Sequence, residues 1–176
     1  VIVQLEARLN DKNIPRNMIG REKRVVALEQ YLSQVRIYDP VLDGLRILVV
    51  DRIAGSRSIE VLSKPGSRLP LHATGVGKVP LAYGGQELQD AVLGSLDRYT
   101  DSTITDALTL KAQLLTIRSQ GFALTREELA PAATSVAVPL RGKGGTVIAA
   151  LGVVSSSDNA EISRMVPVLQ VTAAAL

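Results

Sequence analysis

The chain has 176 residues, about the length of one domain, with no cysteine, no tryptophan and a single histidine, His72. This composition excludes a disulfide framework, a thiolate metal site and any motif with two imidazoles, so zinc fingers and zinc hydrolases are excluded. The net charge is only +3, but the whole excess lies in residues 1–36, which carry seven Lys or Arg and four Asp or Glu, whereas residues 37–176 carry 13 of each.

The first 34 residues predict a basic connecting segment. Val1–Asn10 is compatible with a helix, which Pro15 and the polar residues before it would end. A second helix is predicted over Arg21–Gln34, where apolar residues recur at helical spacing beside a charged face. Because the positive excess of the chain lies in this segment, it is the only part of the sequence that is a candidate for lying near DNA.

Strand signals follow. The dipeptide Asp43-Gly44 between Val35–Leu42 and Leu45–Ile53 is typical of a tight hairpin turn, so these two runs predict antiparallel strands. A third short strand is predicted over Arg57–Leu62, and Pro65 with the following glycine ends the sheet there.

Three helices are predicted next, over Thr74–Tyr83, Gln86–Leu96 and Asp106–Gln120. In the last of these Asp106 is placed to cap the free amides of the first turn, and Gly121 follows as a stop.

Strands return at Phe122–Leu124, Ser135–Leu140 and Thr146–Val154, and a final helix is predicted from Asp158 toward Leu176. Strands that are segregated from helices and joined by hairpins indicate an α+β fold, with an antiparallel sheet of about six strands flanked by helices, rather than a doubly wound parallel fold. No apolar run approaches the roughly 18 to 20 residues that a membrane span needs, so we expect a soluble protein of a reducing compartment.

The segment Arg68–Lys78, which reads RLPLHATGVGK, is the most informative stretch for chemistry. Small residues at Thr74 and Gly75 would leave the first amides of a helix open to a carboxylate or phosphate. Alternatively, Gly75 and Gly77 only permit close packing of the helix on the sheet. Two nucleotide motifs fail here: a phosphate-binding loop needs Ser or Thr where Val79 stands, and the dinucleotide pattern needs a third glycine where Pro80 stands.

Candidate catalytic groups are few. His72 suits a general base, but there is no serine in a nucleophile-elbow motif, and a structural hydrogen bond is the favoured role for this histidine. Glu127 and Glu128 form a carboxylate pair, although adjacent residues usually point different ways, so we expect a solvated turn or a salt bridge to Arg126. Residues 37–176 are too balanced in charge and too poor in aromatics for a nucleic-acid surface.

Several motifs together resemble the effector-binding domain of IclR-type transcriptional regulators. The resemblance covers about residues 35–176, and its most specific element is the phrase PLHATGVGK that ends at Lys78. The other matching segments are Leu42–Gly44, Asp51–Ile53, Leu81-Ala82, Ile117-Arg118, Gly121, Glu127-Glu128, Ser135–Leu140 and Ala149–Leu151.

The resemblance implies a GAF-like domain, over residues 35–176, that binds a small carboxylic or aromatic acid and assembles as a homodimer or homotetramer. Residues 1–34 would be the linker region with the domain's first helix, and DNA would be bound only through an N-terminal winged helix-turn-helix domain, of which this chain shows no recognisable trace. A cytoplasmic protein without catalytic residues, cofactor or metal is implied.

The resemblance also implies site residues. Backbone amides near Thr74–Gly77, at Gly75 and Val76 above all, match those that bind an effector carboxylate in the family, and Thr125 and Ser135 stand where ligand-contacting side chains occur. Gly152 and Val154 replace hydroxyl side chains, so a less polar and roomier pocket and a larger or more apolar acid are expected. With five aromatics in the whole chain, the walls should be mainly aliphatic.

A ligand-sensing regulatory domain is therefore the leading hypothesis. A small-molecule hydrolase using His72 with Glu127 or Glu128, and a dimerisation domain that senses nothing, are the alternatives.

Overall fold

Six strands and four helices make up the part of the chain that the computed structural model describes, which is residues 2–5, 45–53, 64–157 and 162–175. The strands are β1 (Ile2–Leu5), β2 (Arg46–Ile53), β3 (Arg68–Pro70), β4 (Ala123–Arg126), β5 (Ala133–Arg141) and β6 (Val147–Ser156). The helices are α1 (Gly75–Tyr83), α2 (Gln86–Leu93), α3 (Ala107–Gln120) and α4 (Met165–Ala174), the last preceded by a 3₁₀ turn at Ile162–Arg164.

The strands form one sheet in the order β3-β2-β1-β6-β5-β4. The pairs β2/β3, β4/β5 and β5/β6 are antiparallel, whereas β1 runs parallel to both β2 and β6. The α+β class and the predicted antiparallel hairpin of β5 and β6 are confirmed, and β1 makes the sheet mixed.

The helical interpretation of Val1–Asn10 is wrong for Ile2–Leu5, because these residues form the strand β1. Its backbone pairs with Val49–Ile53 on one side and with Ala150–Val153 on the other, so partners remote in sequence decide its conformation. The three-residue strand β3 was not predicted either. The predicted helix Arg21–Gln34 and the predicted strands Val35–Leu42 and Arg57–Leu62 lie outside the described residues.

The sheet is covered on both faces. One hydrophobic cluster joins α1 and α3 to the sheet and includes Val79, Leu110 and Leu114, all buried. A second cluster joins α4 and the 3₁₀ turn to the opposite face through side chains such as Val136 and Leu169. Along β5 the side chains of Val136 and Ala137 belong to different clusters, as expected for a strand whose successive residues face opposite sides of the sheet.

The helix boundaries follow local signals. Helix α2 ends at Leu93 rather than at the predicted Leu96, because Gly94 caps it, and glycine is unfavourable in a helix interior. Gly121 adopts φ +78° after α3, which confirms the predicted stop. In the final helix the spacing of the apolar residues predicts Val171 on the apolar side, but this residue is 72% exposed. None of the described helices has the length and apolarity to cross a lipid bilayer.

Asp106 caps α3 as predicted, and this cap should make stability depend on pH. Hydrogen bonds from the hydroxyl and the amide of Thr109, both 2.7 Å from Oδ2, lower the pKa of Asp106. Because the folded-state pKa lies below the unfolded value of about 4, the contribution of this carboxylate is present above that value and is lost as the pH falls through the folded-state pKa.

The free energy of unfolding of wild type should therefore exceed that of Asp106→Ala at pH 7, and the difference should shrink as urea melts are repeated toward about pH 2. Asp106→Asn is the matched control, because its amide oxygen can still cap the helix but does not titrate. A difference between wild type and the alanine variant that is the same at every pH would contradict this account.

Candidate functional site

Helix α1 begins where the chain turns away from β3, and Thr74 fixes that turn. Its Oγ1 accepts a hydrogen bond from the Gly77 amide at 3.0 Å and donates one to the carbonyl oxygen of Pro70 at 2.8 Å. The residue is 6% exposed and has the extended backbone typical of an N-cap. Thr74 therefore ties the first turn of α1 to the end of β3.

The two glycines of this turn allow close packing. A Cβ atom added at Gly77 would lie 2.7 Å from both Cα and O of Leu71, and one added at Gly75 would lie 2.8 Å from Oγ of Ser135. Real Cβ atoms essentially never approach other atoms so closely. These distances support the interpretation that Gly75 and Gly77 permit close packing of α1. A separate point is which amides of the first turn remain open to a ligand.

The amides of the first turn of α1 differ in their hydrogen-bond acceptors. The Gly75 amide donates to Oγ of Ser135 at 3.3 Å, and the Gly77 amide is taken by Thr74. Within the part of the chain that the structure describes, no acceptor faces the amide of Val76. The positive end of the helix dipole and this free N–H therefore coincide at Val76.

A cavity of about 40 Å³ lies between this helix start and the sheet, which is room for about three water molecules. Six of the eight predicted site residues line it, while Gly75 and Gly77 do not. The lining residues are Leu69, Ala73, Thr74, Val76, Thr125, Glu128, Leu129, Ala130, Ala133, Thr134, Ser135, Gly152, Val153 and Val154. No aromatic side chain is among them, in agreement with the expected aliphatic walls.

Strand register brings the predicted polar residues together. Thr125 on β4 pairs with Ser135 on β5, and Ser135 in turn pairs with Val154 on β6. The hydroxyl oxygens of Thr125 and Ser135 are 2.6 Å apart and hydrogen-bonded. A hydrogen-bonded row therefore runs from Thr125 through Ser135 to the amide of Gly75.

The expected extra room at Gly152 is not there. A Cβ atom at this position would lie 2.6 Å from Cγ1 of Val76 and 3.2 Å from the carbonyl oxygen of Val136. The space left by the missing side chain is therefore filled by Val76, because the first turn of α1 packs directly on β6. This corrects the expectation of a roomier pocket at that wall; the expectation of a less polar wall there stands.

A buried ion pair at the pocket was missed by the sequence reasoning. Glu128 is 5% exposed and lines the cavity, and both of its carboxylate oxygens lie 2.6 Å from Nζ of Lys78. Lys78 is fully buried and also donates to Oε1 of Gln113 at 2.5 Å. The prediction of a solvated turn or a salt bridge to Arg126 is wrong for Glu128.

Burial and the neighbouring charge change the pKa of Lys78 in opposite directions. Burial lowers the pKa of Lys78, and the attraction and hydrogen bond of Glu128 oppose that change. The signal available in the sequence was a lysine inside the otherwise apolar helix segment GVGKVPLA. A buried lysine requires a partner, but only the fold identifies Glu128, 50 positions away.

The loop that carries Glu128 is held in place by its backbone. The hydroxyl groups of Thr100 and Thr103 donate to the carbonyl oxygens of Glu127 at 2.5 Å and Glu128 at 2.7 Å. The Glu127 amide donates to the carbonyl oxygen of Ala133 at 2.7 Å. Glu127 itself does not line the cavity, so the structure separates the two adjacent carboxylates.

His72 has a structural contact, as favoured from the sequence. Its Nε2 lies 2.9 Å from the carbonyl oxygen of Asp97, and its ring packs beside that of Tyr99 with centroids 5.8 Å apart. The histidine is 4% exposed and does not line the cavity. His72, Glu127 and Glu128, the residues of the hydrolase alternative, therefore do not line one common cavity. In the described ranges no three metal-ligating side chains come together either.

Comparison with known proteins gives a consistent set of relatives. The family model of the bacterial transcriptional regulator IclR C-terminal matches residues 31–176. The HTH-type transcriptional regulator XynR of Escherichia coli is 34% identical over 141 residues, which are 77% of this chain and 56% of XynR. The p-hydroxybenzoate hydroxylase transcriptional activator of Acinetobacter baylyi is 35% identical over 114 residues, 61% of this chain and 42% of the activator.

Solved structures agree with these relatives. An IclR homolog from Microbacterium hydrocarbonoxydans, complexed with 4-hydroxybenzoate, superposes with a TM-score of 0.70 at 31% identity, over 74% of this chain and 54% of the homolog. The inducer-binding domain of a double mutant of PobR from Acinetobacter, complexed with 3-hydroxybenzoic acid, gives a TM-score of 0.66 at 30% identity, over 74% and 81% of the two chains. The chain spans about half the length of the curated relatives it matches.

Proposed function

The chain belongs to the IclR family of bacterial transcriptional regulators, whose C-terminal domain it carries, and from this premise we propose that its cavity binds a small organic acid as the effector. The observation that carries this proposal is the free amide of Val76 at the start of α1, beside a cavity that Val76 itself lines. The effector carboxylate accepts a hydrogen bond from that amide and lies at the positive end of the helix dipole.

The remaining walls suit such a ligand. The linked hydroxyls of Thr125 and Ser135 offer further polar contacts, and Leu69, Val153 and Val154 provide apolar surface. The hydroxybenzoates bound to two related structures support an organic acid as the class of ligand. An effector larger than the cavity extends past the half-buried residues Leu129 and Ala130 at the rim of the cavity, or it pushes the side chain of Val76 aside.

No chemistry on the ligand is part of this proposal. Binding shifts the population between two arrangements of a cytoplasmic homodimer or homotetramer, and DNA is bound by a winged helix-turn-helix domain that precedes residues 1–34 in the complete protein. The sensing domain consists of residues 35–176 together with strand β1 at Ile2–Leu5, and the rest of residues 1–34 acts as the linker region and first helix. The cavity beside α1 favours sensing over a purely dimerising role, and the backbone contact of His72 disfavours a hydrolase.

The test is calorimetric titration of the chain with 4-hydroxybenzoate, 3-hydroxybenzoate and a panel of aliphatic acids. Val76→Pro removes the proposed donor while keeping an apolar side chain, and proline is tolerated in the first turn of a helix. We expect at least about tenfold weaker binding, since hydrogen bonds to charged groups contribute about 1.5–3 kcal/mol.

Val76→Ala is the matched control, because it shortens the side chain but keeps the amide, and its affinity should remain within a few-fold of wild type. Circular dichroism confirms that both variants are folded. Equal binding by the folded proline variant and wild type would disprove the carboxylate site at α1.

A further inference from the structure

We propose that Glu128 recognises a hydrogen-bond donor on the effector, so that the ligand class is an acid carrying a hydroxyl group rather than a plain carboxylic acid. This inference rests on the proposed function, since it concerns a second contact of the ligand whose carboxylate is bound at Val76. It assigns to Glu128 a part in specificity that neither the sequence motifs nor the resemblance attached to it.

The first ground is the unused acceptor capacity of Glu128. An ionised carboxylate can accept about four hydrogen bonds, whereas the ammonium group of Lys78 is the only donor to this side chain among the described residues. Glu128 is 5% exposed and lines the cavity. Since bulk water barely reaches the carboxylate, a group inside the cavity is what can complete its hydrogen bonds.

The second ground is the charge of the pair. Lys78 neutralises Glu128 at a distance of 2.6 Å, so the cavity does not repel an anionic ligand as an unpaired carboxylate would. Lys78 itself is fully buried, does not line the cavity and is also held by Gln113. The lysine is therefore not the partner of the ligand carboxylate, which leaves that role to the amide of Val76.

The third ground is that the two ends of the site differ in hydrogen-bonding type. The amide of Val76 can only donate, and ionised Glu128 can only accept. The hydroxyls of Thr125 and Ser135 can do both, so they do not distinguish a donor from an acceptor on the ligand. A plain acid that displaced water from Glu128 would leave buried acceptor sites unpaired, which is how a polar site rejects a ligand lacking the matching group.

The experiment uses calorimetry on the whole 176-residue chain with acids that differ only in the donor. One set is 4-hydroxybenzoate, 4-methoxybenzoate and benzoate, another is the corresponding 3-substituted acids, and the aliphatic pair is 3-hydroxypropionate and propionate. In at least one set the hydroxylated acid should bind at least about tenfold more tightly than its methoxy or unsubstituted partner.

Variants locate the origin of this preference. In Glu128→Gln the preference should fall to within about threefold, because the carboxamide presents a donor as well as an acceptor and carries no charge. Glu127→Gln is the matched control, because it makes the same chemical change at the adjacent carboxylate, which does not line the cavity, and it should keep the preference. Should Glu128→Gln fail to fold with Lys78 left charged, the double variant Lys78→Met/Glu128→Gln carries the same comparison without a buried charge.

The outcomes separate the two proposals. If no acid of any set binds the folded wild-type protein, the proposed function fails, and this inference fails with it. If hydroxylated and plain acids bind wild type equally, only the donor preference is overturned. If a folded Glu128 variant keeps the full preference, some other residue recognises the hydroxyl and the assignment to Glu128 is wrong.

Discussion

Replacing Lys78 by methionine is expected to lower the free energy of unfolding by about 3–5 kcal/mol, the usual cost of removing one partner of a buried ion pair. The carboxylate of Glu128, 5% exposed, would lose the ammonium group that bonds both of its oxygens, and Oε1 of Gln113 would lose its donor as well. The methylene stem of methionine fills much of the space of the lysine, so the loss reports the charge rather than a cavity.

Urea unfolding followed by circular dichroism measures this loss. The double variant Lys78→Met/Glu128→Gln should recover a large part of it, because no uncompensated charge remains inside. Lys111→Met is the matched control: Lys111 is exposed on α3, and its replacement should change stability by less than about 0.5 kcal/mol. If the double variant is no more stable than Lys78→Met, the penalty does not come from an unpaired Glu128.

The substitution Gly77→Ala, which adds a single methyl group, is expected to have the second large effect on the free energy of unfolding. Glycine to alanine inside a helix normally stabilises a protein by about 0.4–1 kcal/mol, but at Gly77 the sign should reverse. The new Cβ atom would lie 2.7 Å from backbone atoms of Leu71 and 2.5 Å from Oγ1 of Thr74. Since backbone atoms cannot rotate away, α1 must shift, and we expect a loss of about 1–3 kcal/mol.

Gly94→Ala provides the control for Gly77→Ala. Gly94 has φ −73° at the end of α2, and its added Cβ atom would meet nothing nearer than 3.5 Å, so its stability should equal or slightly exceed that of wild type. A Gly77→Ala variant as stable as Gly94→Ala would show that α1 does not need its close approach to Leu71.

Local signals in the sequence were enough for much of the fold. Helix α3 follows from its apolar spacing, its cap at Asp106 and its stop at Gly121, because each of these acts within a few residues. Strand β1 could not be found in that way, since the residues that pair with it lie on strands far along the chain. Backbone pairing over such separations leaves no periodicity in four residues.

In the candidate site, too, some residues could be predicted from the sequence, whereas contacts between elements distant in the chain could not. Thr125 and Ser135 could be named from the resemblance, and strand register explains why they meet. The pairing of Glu128 with Lys78 connects a loop to the interior of a helix, which neither motif nor spacing reveals. The filling of Gly152 by Val76 depends on how deeply α1 sits on the sheet, a tertiary property that position-by-position comparison does not contain.

The contact between Val76 and Gly152 has an evolutionary consequence. The 2.6 Å distance from Cγ1 of Val76 to a Cβ atom at position 152 means that the two positions share one volume. A lineage that gains a side chain on β6 must first shorten residue 76, and one that keeps valine there must keep glycine opposite. Residues 76 and 152 should therefore covary in size among relatives with this packing, and a library that enlarges residue 152 alone would sample few folded pockets.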